Sequence, residues 1–103
     1  MTTAHLESGM NKNERRIWIE GTSYFKPSGL SCGTFLYRTM NDDGTMTLST
    51  TADPTIKQRR HRIAGKPGRE ILDLCGKWVT AFMGNCSHFT AEISPAGITI
   101  TPC

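Results

Sequence analysis

Long hydrophobic runs are what this 103-residue chain lacks most. No stretch approaches the roughly 18–20 apolar residues that span a bilayer, so no membrane partner is expected. The opening MTTAHLESGMNKNERR has no apolar segment of the kind a secretory leader needs, which makes a cytoplasmic setting the expectation. Residues 1–13 are polar enough to read as a flexible tail ahead of a single domain over 14–103. Aromatics are few, with two Trp, two Tyr and four Phe. A chain of this size builds one modest core and has little left for a deep catalytic cavity.

Catalytic and metal-binding signatures are also missing. AGKPGR, residues 64–69, carries a lysine among glycines, but Pro67 removes a backbone amide that a phosphate cradle would use. There is no nucleophile elbow and no zincin helix. His61 or His88 beside Asp73 or Glu92 would be the raw material for acid–base work, without a pattern that joins them. Cys86 and His88 stand one residue apart, which is not the spacing of a structural zinc site. The four cysteines, at 32, 75, 86 and 103, are too scattered for a disulfide framework and read as free thiols. Cys75, among apolar neighbours, reads as a small buried hydrophobe. The expectation is a binding protein without catalytic residues, metal or cofactor.

What the chain does have is a segment with no acid in it. IKQRRHRIAGKPGR, residues 56–69, holds Lys57, Arg59, Arg60, Arg62, Lys66 and Arg69, six of the twelve basic residues. The rest of the chain carries six bases against nine acids, so a net charge of +3 hides +6 in one segment and −3 elsewhere. Such asymmetry points to an anionic partner. Lysine and arginine neutralise phosphates, and arginine also stacks on bases. His61, inside the run, adds charge at low pH. If the run is extended, Arg60 and Arg62 share one face while Lys57, Arg59 and His61 share the other. Trp18, flanked by Arg15 and Arg16, is a candidate stacking platform. The plainer readings are a charged edge strand that resists aggregation and a tryptophan that packs a second face. The partner class stays open between nucleic acid, DNA or RNA, and an acidic protein surface. The second would suit a small inhibitor from a phage or plasmid, docking on a host defence complex in the manner of an anti-CRISPR protein.

Periodicity supplies the elements. RRIWIEG (15–21) alternates as a strand, and TSYFKPSGLSCG (22–33) reads as a loop. TFLYRTM and TMTLSTT flank NDDG, a hairpin turn in which Asp-Gly supplies positive φ. HFTAEIS and ITITP flank PAG as a second hairpin. Between them, Ile71, Leu74, Cys75, Trp78, Val79, Phe82 and Met83 fall at helical spacing and predict one helix near 70–83. The competing parse is a short strand over 71–75, a turn at Gly76 and a short helix over 77–83; residues 77–83 are helical in both, and 70–75 stay open between helix and strand. The fold class expected is α+β: mainly antiparallel sheet of two hairpins and one N-terminal strand, with that helix.

LDLCGKW, with Leu72, Leu74, Gly76 and Trp78, followed by AGITITP, with Gly97, Ile98 and Ile100, resembles the core of SymE-type toxins of bacterial toxin–antitoxin modules. The resemblance covers the C-terminal third. It departs where TAFMG follows the tryptophan. It implies an AbrB-like swapped-hairpin homodimer that binds nucleic acid, and under it the long helix of 70–83 would not form.

Overall fold

Alternation becomes two antiparallel sheets. The computed structural model describes all 103 residues. The chain runs through β1 (Thr2–Glu7), β2 (Gly9–Asn11), β3 (Glu14–Glu20), α1 (Thr22–Phe25) and one turn of 3-10 helix (Lys26–Ser28). It continues through β4 (Phe35–Met40), β5 (Met46–Ser49), β6 (Arg59–Arg62), β7 (Ala64–Lys66) and β8 (Arg69–Cys75). It ends with α2 (Lys77–Met83), β9 (His88–Ser94) and β10 (Gly97–Pro102). The larger sheet has the order β1-β9-β10-β5-β4-β6 and the smaller β2-β3-β8-β7. The class is α+β, mostly antiparallel sheet.

Each sheet sends alternate residues inward. Leu36, Met46, Leu48, Phe89, Ala91, Ile93, Ile98 and Ile100 come from the larger sheet; Ile17, Ile19, Leu72 and Leu74 come from the smaller. Phe25, Val79 and Met83 from the two helices join the same cluster of 18 buried residues. Each such aliphatic or aromatic side chain contributes roughly 1.5–3 kcal/mol on burial.

Three expectations need correction. Residues 1–13 are not a tail. β1 pairs with β9 from Thr2 opposite Ile93 to Glu7 opposite His88, and Ala4 is buried. Only Ala4 and Leu6 face inward there, so the local apolar pattern is thin, and the strand is held by backbone pairing to a neighbour already fixed in the core. β2 turns into β3 through Lys12 and Asn13, whose φ values of 52 and 71 give the two positive φ angles of a type I′ turn. Instead of one N-terminal strand there are three.

The helix over 70–83 is the second correction. Residues 69–75 are β8, and only Lys77–Met83 is helical. Glu70, Leu72 and Leu74 point inward with period two, while Cys75 is exposed rather than buried. Gly76 separates the two with φ 121, a conformation that interrupts any helix through it. The shorter parse, strand then turn then helix, describes the chain. Third, the presumed loop of 22–33 contains α1 and the 3-10 turn, anchored by the fully buried Phe25.

Candidate nucleic-acid interface

The basic run forms a sheet edge and then changes sheets. β6 ends the larger sheet and pairs with β4: Phe35 opposite Arg62, Leu36 opposite His61, Tyr37 opposite Arg60, Arg38 opposite Arg59. Directly opposed residues share a face, so this register sorts the cations. Leu36 is fully buried, which puts His61, Arg59 and Arg38 on the core side of the edge. Phe35, Tyr37, Arg60 and Arg62 stand on the outer side. Ile63 is buried and pinned by hydrogen bonds from its N–H to Thr34 O (2.9 Å) and to its carbonyl from Gly33 N (2.7 Å). Beyond it the chain enters the smaller sheet as β7.

On the outer side, Phe35 is 42% exposed and the Arg60 guanidinium lies 4.1 Å from its ring centroid. Tyr37 is the next outward residue on the same strand, half-buried beside it. Two aromatic faces and two guanidinium groups therefore occupy one open patch. The chain holds two salt bridges, Arg16 to Asp73 and Arg69 to Glu20. Arg59, Arg60 and Arg62 belong to neither, so their charge is uncompensated at close range.

On the core side, the Arg38 guanidinium sits 3.7 Å from the Trp78 ring centroid, and His61 stacks on the same indole at 5.6 Å with 28° between planes. Arg38 Nη1 and His61 Nε2 are 3.3 Å apart. That contact places both groups over one face of the indole, since groups on opposite faces would be further apart. Arginine has no acceptor, so His61 Nε2 accepts and the ring is neutral with its proton on Nδ1. Burial pushes the His61 pKa below its ordinary value of 6.5, and the Arg38 and Arg59 charges push it the same way. Burial, with Arg59 adding to it, also lowers the pKa of Arg38. A cleft of about 410 Å³ opens here, lined by Arg38, Arg59, Arg60, His61 and Trp78.

The remaining candidates lie elsewhere. Lys57 precedes the edge and, with Gln58 and Arg59, lines a separate recess. Lys66 and Arg69 face each other across the β7–β8 hairpin in the smaller sheet. Arg69 is neutralised by Glu20, whose own pKa that contact lowers. Trp18 is on the outer face of the smaller sheet, covered by Arg16 at 4.3 Å, its Nε1 donating to Glu20 Oε1 at 3.1 Å. Arg16 in turn is held by Asp73 through two hydrogen bonds of 2.8 and 2.9 Å. Trp18 is thus tied into a charge-balanced network away from β6.

Sequence reasoning missed Phe35, Tyr37, Arg38 and Trp78. The alternation of TFLYRTM does place Phe35 and Tyr37 together, but which strand lies beside β6 is a long-range fact. Arg38 and Trp78 meet His61 only through that pairing and the placement of α2. No group of three or more His, Cys, Asp or Glu side chains is placed to hold a metal, and no helix is long and apolar enough to cross a membrane. No protein-family model, curated protein or solved structure matches this chain.

Proposed function

We propose that this protein binds single-stranded nucleic acid on the outer side of the β4–β6 edge. Phe35 and Tyr37 stack on bases, with the exposed Arg60 swinging off the Phe35 ring it covers to join Arg62 on the adjoining phosphates. The observation that carries the reading is the coincidence, on one open face, of two aromatic rings with two guanidinium groups that have no carboxylate partner. Stacking on every base type plus unpaired positive charge gives affinity for a single strand with little sequence choice. A flat sheet face suits splayed bases, whereas a duplex keeps its base faces stacked inside.

Fluorescence anisotropy with labelled single- and double-stranded oligonucleotides, at about 50 mM salt, tests this. The single strand should bind more tightly. Phe35→Ala or Tyr37→Ala should each weaken it by roughly 5- to 150-fold, the equivalent of about 1–3 kcal/mol per stacked base. Absence of binding at that salt, or indifference to both substitutions, removes the reading.

A second reading rests on one observation. The far edge of β6 has no strand beside it, so its backbone can accept a strand from an acidic partner protein. This is the geometry an inhibitor of a host complex would use. Pull-down with and without nuclease separates the two: a partner retained after nuclease treatment favours the inhibitor.

A further inference from the structure

The core-side cleft does something different from the outer face. Arg38 and Arg59 are directly opposed across two strands, an arrangement of like charges that weakens a sheet unless a counter-charge is supplied. His61 lies beside Arg38, and neither of the chain's salt bridges reaches the cleft. Arg38 is not free to retreat into solvent, because it is half-buried and packed over the Trp78 ring. The exposed indole face that a base would need is already taken by Arg38 and His61. The vacant groups are cationic or hydrogen-bond donors, and the space of about 410 Å³ is of small-ligand size.

We propose that the cleft between β4, β6 and α2 is a binding site for a phosphate monoester, held by Arg38 and Arg59 with His61 beside them. A monoester carries close to two negative charges and three terminal oxygens. Two guanidinium groups match that charge, and the imidazole adds a third donor. A bridging diester, with one charge and two free oxygens, leaves the site half-compensated. Two sources present this chemistry: the phosphorylated end of a strand and a free nucleoside monophosphate. The first source rests on the nucleic-acid reading above; the site itself does not.

The test compares one short single-stranded oligonucleotide carrying a 5′-phosphate, a 3′-phosphate or neither, together with a nucleoside monophosphate, by anisotropy and calorimetry. Arg59→Ala removes an exposed side chain without touching the core. Arg38→Lys keeps charge and stem but loses the planar fork. A phosphate at one end should tighten binding about tenfold or more in the wild type, and both substitutions should abolish the difference between phosphorylated and plain strands. If no oligonucleotide binds but the monophosphate does, in an Arg59-dependent way, the cleft stands and the strand-binding proposal falls. If all strand ends bind equally and the monophosphate does not bind, the cleft proposal is overturned while strand binding on the outer face survives.

Discussion

Arg38 and His61 show how a single register decides chemistry. Arg38 lies outside the basic run, yet β4–β6 pairing sets it opposite Arg59 and beside His61. The imidazole is then squeezed from two directions: burial disfavours its charged form first, and two neighbouring guanidinium groups repel the proton. The sign of the consequence is fixed. A histidine whose folded pKa lies below 6.5 contributes stability above that value and loses it as pH falls through the folded pKa, because the unfolded chain takes up the proton first. Asp43, Asp53, Glu20 and Glu70 are also shifted, but downward from 3.8 or 4.5, so they act at lower pH. Between about pH 7 and 5 the comparison with a variant that lacks the imidazole therefore reads out His61. The urea midpoint of the wild type should fall across that window more steeply than that of His61→Gln, and the His61 ring protons should titrate below 6.5 in NMR. Equal slopes in the two proteins would refute the assignment of a neutral, desolvated imidazole.

At the level of elements, one glycine with no room for a side chain lies at the start of β10. Gly97 pairs with both Ser94 and Ser49, and a Cβ built on it would stand 2.0 Å from the Leu48 carbonyl oxygen. Its φ of 138 disfavours any side chain in addition. The obstruction is backbone in a paired strand and cannot swing aside. Gly97→Ala should thus cost about 3 kcal/mol or more, read as a lowered urea midpoint with unchanged m-value. A loss under 1 kcal/mol would mean that β5 and β10 do not pack as described. This position also shows what the sequence could and could not reveal. The alternation of HFTAEIS and of ITITP is local and legible, because both strands are half-buried and must keep period two. The identity of β5 as the neighbour of β10, which makes Gly97 obligatory, is a pairing between distant segments with no local trace. Residues 70–75 stay open between helix and strand in the sequence for a different reason. Leu72 and Leu74 satisfy a strand, Trp78, Val79 and Met83 satisfy a helix, and concatenating two short patterns imitates one long helix. Gly76 held the information, and its positive φ outweighs the apparent periodicity. β1 left the least trace, since Ala4 and Leu6 are too few to mark a strand whose stability comes from β9.

On the scale of the whole molecule, the outer face of the larger sheet is polarised. Register aligns Thr39, Thr47, Thr99, Glu92 and Thr3 in one row from β4 to β1. Arg60 and Arg62 stand at one end of that face, and the exposed Glu92 and Glu7 at the other. A polyanion laid on the face meets favourable charge at β6, the rings of Phe35 and Tyr37 on β4, neutral hydroxyls on β5 and β10, and repulsion at β9. Neighbouring strands are about 4.8 Å apart, so the compatible width from β6 to β10 is roughly 14 Å. This is room for a short footprint and not for an extended track. The proposed contacts are Arg60 and Arg62 outside and Arg38 and Arg59 in the cleft. On a strand with a terminal phosphate, four phosphate charges at a single-strand coefficient near −0.7 give a slope of about −3 for log affinity against log salt. Replacing Arg60 and Arg62 together by alanine should reduce that slope by about 1.4. Arg69→Ala is the internal control, because its charge is already matched by Glu20 and its pKa is raised by that hydrogen bond. It should leave the slope unchanged, although it belongs to the same basic run. A salt titration in which Arg69→Ala lowers the slope as much as the Arg60 and Arg62 substitutions would show that the partner reads net charge alone. The geometry of the β4–β6 edge would then have no part in binding.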